Sequence, residues 1–129
     1  MAAADSLQVS LTASPRVRVG VPVRFRLTLA NRTDHRLTLY LSGRTITFDL
    51  TVTGPDGSVV WRRLEGQTLQ GILQVRELAP RERVELEVHW NQRGSTGAPV
   101  APGTYTARGA ILTDGAPLLT PMVHFLVEP

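Results

Sequence analysis

At 129 residues, 42% of them hydrophobic, the chain can build one domain with a real core and is too apolar to be disordered. It has no Cys, which excludes disulfides and thiolate chemistry. All 14 basic residues are Arg, against 11 acids for a net charge of +3, but they are spread from Arg16 to Arg108 among only 5% aromatics, unlike the concentrated basic, stacking surface of a nucleic-acid binder. No apolar run reaches the roughly 18 residues that span a bilayer, so no membrane partner is expected. Met1-Ala2-Ala3-Ala4-Asp5 has neither a basic nor an apolar leader region and reads as a flexible N-terminus over residues 1–5. Together with the missing Cys this points to the cytoplasm, whereas a chain trimmed of its leader would belong to the cell envelope or the exterior.

In chain order, Leu7, Val9 and Leu11 alternate with polar residues and predict a first strand ending at Ser14-Pro15. Arg16 to Pro22 reads as a connection. Val23, Phe25, Leu27 and Leu29 alternate with Arg24, Arg26, Thr28 and Ala30, the pattern of a half-buried strand. Asn31-Arg32-Thr33-Asp34-His35 is a turn cluster, and Asn31-x-Thr33 also fits the glycosylation pattern. Leu37, Leu39 and Leu41 form the next strand, ended by Ser42-Gly43.

Ile46 to Arg62 reads as a hairpin. Ile46, Phe48, Leu50 and Val52 line one face, and Gly54-Pro55-Asp56-Gly57 supplies the turn. Pro55 presets φ, Asp56 accepts a local backbone bond, and Gly57 takes the positive φ that follows. The return strand carries Trp61. Leu64 to Gly71 is a loop, Ile72 to Leu78 a strand with Leu73 and Val75 on one face, and Ala79-Pro80-Arg81-Glu82 a turn. Val84, Leu86, Val88 and Trp90 alternate with Glu85, Glu87 and His89. Asn91 to Gly103 has no pattern. Tyr105–Leu112 and Leu118–Val127 are the last two strands, joined by Thr113-Asp114-Gly115-Ala116, where Asp-Gly predicts a tight turn with both residues at positive φ.

No window holds a helical period. Short strands with turn signals about every ten residues predict an all-β chain, an antiparallel sandwich of about eight to nine strands over residues 6–129 as one domain. Trp61 and Trp90, each reached by an apolar alternation, are expected inside it.

Little in the sequence carries chemistry. His35, His89 and His124 are isolated, with no ligand spacing, so no metal and no cofactor is expected. Glu85 and Glu87 share a face and read as surface partners for Arg24, Arg26 or Arg108. No Ser sits in a nucleophile elbow, and Gly94-Ser95-Thr96-Gly97 lacks the Lys and the helix of a phosphate loop, so no enzyme is expected. The stretch Asn91–Gly103 is long for a connection, and long ordered loops are where binding residues concentrate. Its Pro99 and Pro102 stiffen it, which lowers the ordering cost of binding. A plain bridge between two sheets explains the same residues.

Phe48-Asp49-Leu50-Thr51-Val52, then Pro55-Asp56-Gly57, then Val60-Trp61-Arg62 resemble the central signature of the bacterial intracellular proteinase inhibitor family BsuPI. The order continues in kind, with Asn31 after the second strand and Ser42-Gly43 before the signature. Leu78-Ala79-Pro80-Arg81-Glu82 resembles the family's Pro-centred turn, Val88-His89-Trp90-Asn91 its late Trp strand, and Gly97 to Tyr105 the entry to a late strand. The likeness spans about Val23 to Leu112. The sequence departs where Arg63 and Leu64 replace a second aromatic and a Ser, and where Pro80-Arg81 replaces Pro-Gly.

The resemblance implies an immunoglobulin-like fold and a protein partner, a subtilisin-like serine protease. The contact residues expected on the unpatterned loop are Ser95, Thr96, Gly97, Ala98, Pro99, Val100 and Ala101, presented as an extended segment. Arg63 to Gln70 is a second candidate. The alternative is a non-inhibitory interaction or structural domain of the cell envelope.

Overall fold

The computed structural model describes residues 6–69 and 71–129. The flexible stretch expected at 1–5 lies outside the described residues, as does Gln70 at the end of the second candidate loop.

Eleven strands follow one another: β1 (Leu7–Ala13), β2 (Arg16–Arg18), β3 (Val23–Asn31), β4 (Leu37–Ser42), β5 (Phe48–Thr53), β6 (Val59–Arg62), β7 (Leu73–Leu78), β8 (Arg83–Trp90), β9 (Gly103–Ile111), β10 (Leu118–Leu119) and β11 (Val123–Glu128). One sheet has the order β1-β3-β8. The other runs β2-β11-β9-β5-β6, with β10 also on β9, and β4 and β7 form a separate ribbon. The architecture is an immunoglobulin-like β-sandwich.

The inward residues of each alternation meet between the layers. Val23, Phe25, Leu27 and Leu29 of β3 and Leu50 and Val52 of β5 are all sealed from solvent, as are Tyr105, Ala107 and Ile111 of β9 and Phe125 and Val127 of β11. Rings join the two sheets. Phe25 meets Phe125 edge-on with centroids 5.5 Å apart, and Trp90 meets Tyr105 at 6.2 Å and Phe125 at 6.3 Å. Each such pair adds about 0.5–1.5 kcal/mol to the area it buries. Trp90 is buried, while Trp61 is only half-buried.

Two strands beyond the eight or nine expected come from short segments. Arg16–Arg18 is a strand, not a connection. It pairs parallel with β11, Leu126 against Arg16 and Glu128 against Arg18. Three residues between Pro15 and Gly20 are too few to show a period. The expected last strand is split into β10 and β11. Thr120 is buried at the break, where its N–H donates to Gly109 O and its hydroxyl oxygen accepts from Gly109 N. Pro121 has no N–H to continue a ladder.

One further expectation changes. Asp114 and Gly115 both lack positive φ. The Thr113 hydroxyl instead accepts from Gly115 N and donates to Ala116 O, closing a wider connection. The face of β7 that carries Leu73 and Val75 is the exposed one. Asn31, in the glycosylation pattern, is 2% exposed; its amide donates to His35 O, Leu78 O and Ala79 O, and its oxygen accepts from the Thr33 N–H and hydroxyl. It is a structural lock between β3 and the turn after β7.

Candidate functional site

The stretch between β8 and β9 is folded. Gly97 N donates to Gly94 O (2.9 Å) and Gly94 N to Ala98 O (2.9 Å), with Gly97 at φ 87°. This repeats the β5–β6 turn, where Gly57 N donates to Gly54 O (3.0 Å) and Gly54 N to Ser58 O (2.8 Å), with Gly57 at φ 85°. Both turns need a Gly where L side chains are strained. Arg93 bridges Pro99, Val100 N donates to Gln92 O, and the Arg93 guanidinium donates to Gly97 O at 2.8 Å. The loop is a small hairpin. The extended segment expected over Ser95–Ala101 is therefore corrected to a closed tip, Gly94–Gly97, with an outer arm, Ala98–Ala101.

This hairpin is tied down on several sides. At its root Gln92 is buried at φ 62°. Its amide donates to Arg18 O and Val21 O, and its oxygen accepts from Gly20 N. The Trp90 indole donates to Arg93 O at 2.9 Å. On the β6 side, Ser95 N donates to Val60 O (3.0 Å) and its hydroxyl to Glu65 Oε1 (3.0 Å). Behind the outer arm, the Tyr105 hydroxyl donates to Ala101 O. Burial of that phenol, with Asp56 nearby, raises its pKa above the ordinary 10.0, so it stays a donor.

The fixed loop still faces solvent. Ser95, Thr96, Gly97, Ala98, Pro99 and Ala101 are exposed and Val100 is half-buried. The structure thus keeps all seven expected contact residues on one hairpin. It also brings the second candidate segment beside it: Arg63, Glu65, Gly94 and Ser95 line one shallow cleft of about 200 Å³, floored by Trp61. A roomier groove of about 500 Å³ lies elsewhere, between Leu7, Val9 and Leu118, and none of the candidate residues lines it.

Sequence reasoning missed the anchors. Asp49 reads as an outward polar residue yet is 8% exposed. Its carboxylate accepts from Arg62 Nη2 at 2.9 Å and from Leu64 N at 3.0 Å, which fixes the start of the 63–69 segment. Arg63 stacks over Phe48 at 4.0 Å and donates to Phe48 O, and burial lowers its pKa. The signature residues Phe48, Asp49 and Arg62 therefore build the support of the site, not its contact surface. The repeated Gly-x-x-Gly spacing of the two turns was the available signal for the second hairpin.

Among the described residues no group of three or more His, Cys, Asp or Glu is placed to hold a metal ion. His35 lies beside Asp34, and His89 beside Glu87, which also meets Arg24 and Arg26 at 3.8 and 3.6 Å on the outer face of β3 and β8. Among the described residues, no helix is long and apolar enough to cross a membrane.

Comparison with solved structures returns similar sandwiches inside larger proteins. An alkylpurine DNA glycosylase from Pseudomonas fluorescens matches at 14% identity and TM-score 0.54, over 96% of this chain and 31% of that one. A β-glucosidase from Erythrobacter marinus matches at 13% identity and TM-score 0.53, over 95% of this chain and 15% of that one. The chain thus spans less than a third of either neighbour, and likeness at this identity speaks to the fold alone. No curated protein matches the sequence. A family model described as intracellular proteinase inhibitor, BsuPI, matches residues 7–115, through every strand from β1 to β9. A match over so much of the sandwich decides the relationship: the chain belongs to the BsuPI family of intracellular proteinase inhibitors, a family of inhibitors rather than enzymes.

Proposed function

We propose that this chain, acting as one unit over residues 6–129 in the cytoplasm, inhibits a subtilisin-like serine protease by docking the 91–102 hairpin in the protease cleft. The observation that carries the reading is the contrast at Ser95–Ala101: side chains exposed except for half-buried Val100, on a backbone tied at Ser95 to Val60 of β6, at Val100 to Gln92 and at Ala101 to Tyr105 of β9. A loop held this way loses little conformational entropy on binding. Its side chains are small, so a partner strand can approach the main chain. Pro99 and Pro102 deny a protease two backbone N–H groups along the outer arm and block close approach to the bonds before them. Family membership supports a protease as the partner, and the family's description as intracellular supports the compartment.

The test is inhibition of several subtilisin-like proteases by the parent and by a variant with Ser95–Ala101 replaced by a Gly/Ser linker of equal length. The expected result is stoichiometric inhibition by the parent and its loss in a variant that still unfolds cooperatively. Undiminished inhibition by the variant would move the contact to the neighbouring Arg63–Leu69 segment. A parent that inhibits none of the proteases would leave the non-inhibitory interaction domain as the better reading.

A further inference from the structure

The β4–β7 ribbon leaves one long edge open. Gly43 N donates to Ile72 O at 2.7 Å, which fixes the hydrogen-bonded pairs of this ladder as Leu41–Gln74, Leu39–Arg76 and Leu37–Leu78. The alternate residues of β4 confirm the phase, for Ser42 N donates to Leu112 O and Tyr40 O accepts from Asp114 N, both away from β7. By the same alternation, the N–H and C=O groups of Leu73, Val75 and Glu77 point outward from β7. Among the described residues no strand pairs with that edge. It has no Lys, Pro or bulge, and its only charges are Arg76 and Glu77. Its exposed face carries Leu73, 54% exposed, and Val75, 64% exposed, beside Tyr40 at 50%, and ends in Glu77, which meets Arg36 at 3.4 Å.

The chemistry of β7 selects its own copy as the partner. Among the described residues the Arg76 guanidinium has no acceptor; its Nε is sealed inside the protomer, which leaves its terminal nitrogens as the donors open to a second copy. Next to Arg76, Gln74 donates its amide to Gly43 O at 2.8 Å, and no described residue donates to its oxygen. When two β7 strands pair antiparallel about Val75, Gln74 of each copy stands opposite Arg76 of the other. In the same register Val75 meets Val75, and Leu73 meets Glu77, so all three outward residues find backbone partners. Sliding the register to centre on Arg76 would set two guanidinium groups face to face, and centring on Gln74 would leave Arg76 opposite Ile72.

We propose that β7 is a homodimerisation edge, pairing antiparallel with β7 of a second copy about Val75 to join two β4–β7 ribbons into one four-stranded sheet. The interface is isologous and two-fold, the commonest closed form of assembly. It lies apart from the 91–102 hairpin and does not rest on the inhibitor reading.

Sedimentation across a concentration series tests the pairing, and a single cysteine tests the register. The parent is expected to dimerise with rising concentration. Val75→Pro removes an outward N–H and leaves the bonds to β4, so the variant should stay folded by circular dichroism and sediment as a monomer. In this Cys-free chain, Val75→Cys should form an intermolecular disulfide under mild oxidation, because facing Cα atoms of a hydrogen-bonded pair lie about 5.5 Å apart. Gln74→Cys, facing Arg76 in this register, should not. A parent that stays monomeric up to about 1 mM, a weak-affinity ceiling, overturns the proposal. A folded Val75→Pro variant that still dimerises also overturns it. Should that variant unfold, the two cysteine variants decide: a Gln74→Cys crosslink without one at Val75 overturns the register, and no crosslink at either overturns the interface.

Discussion

The Trp61 ring lies nearly parallel to the Trp90 ring, with centroids 5.8 Å apart and planes 25° off. Trp90 is in the core, and Trp61 covers it from the edge strand β6. The edge of one sheet is thereby held to the end of the other, directly beneath the 91–102 hairpin. Trp90→Ala is expected to destabilise the fold by about 3–5 kcal/mol, the range for emptying a large aromatic site. Trp61→Ala, which loses stacking and partial burial, should cost about 2 kcal/mol. Urea unfolding of both variants checks the order. Equal losses would show that the stack is not organised around Trp90.

Asp49 and Arg62 form a pair in which only the carboxylate is buried, with side-chain exposures of 11% and 50%. Arg62 can therefore return to water when its partner is lost, but the Leu64 N–H, bonded to Asp49 Oδ1, loses its acceptor. Asp49→Ala should cost about 1–3 kcal/mol, the penalty of a stranded polar group. It should also raise amide exchange at Leu64, since that bond anchors the 63–69 segment. Unchanged exchange there would refute the anchoring role.

Arg81 sits at φ 65°, a left-handed conformation, in the turn where the family pattern has Gly. A non-Gly residue there costs about 1–2 kcal/mol of backbone strain. Against this stand the added freedom that Gly brings to the unfolded chain and the bond from Arg81 Nη1 to Arg32 O. Arg81→Gly is expected to be neutral to stabilising by about 0.5 kcal/mol, whereas most substitutions destabilise. A clear loss in the midpoint of thermal unfolding would show that the Arg32 contact outweighs the strain.

Tyr105 supplies a pH signature. Its pKa is raised above 10.0 by burial first and by the Asp56 carboxylate second. The unfolded chain ionises near the ordinary value, so stability from the neutral phenol is complete below about pH 10 and is lost as the pH rises through the folded value. With Tyr40 replaced by Phe, Tyr105 is the remaining phenol. Its absorbance titration should then have a midpoint above that of the same variant in urea. Coincident midpoints would contradict a buried donor to Ala101.

Gly109 marks a close approach between the layers. A Cβ there would stand 2.6 Å from Leu27 Cδ1 and 3.2 Å from Thr120 Cγ2. Leu27 is packed in the core and has little room to yield. Gly109→Ala should cost about 1–3 kcal/mol by overpacking, and Leu27→Val in the same chain should recover part of it. Additive losses in the double variant would place the clash elsewhere.

The sandwich was legible in the sequence because β3 and β8 each bury one face, so Val23–Leu29 and Val84–Trp90 alternate without interruption. The turn at Gly54–Gly57 was legible from Pro and Gly chemistry. What escaped depends on partners distant in the chain. Arg16–Arg18 is a strand only because β11 lies beside it. Asp49 is buried on the outer face of β5 only because the β5–β6 register lays Arg62 over it. Asn31 matches the glycosylation pattern, and nothing local reveals that Leu78 and Ala79 hold its side chain. At the candidate site, composition marked the exposed small residues, whereas the closed hairpin comes from long-range bonds such as Ser95 to Val60.

The parallel pairing of β2 with β11 bears on how the chain acquires its structure. Arg16 meets Leu126, so this segment waits for one far later in the chain. Until β11 is in place on β9, β2 has no sheet to join, and β9 keeps a bare edge. Closing so long a span slows folding more than it weakens the product. During synthesis β1, β3 and β8 can assemble early, while the second layer stays sticky until β11 emerges. Chains shortened before Val123 should therefore fail by aggregating rather than by folding to a smaller domain.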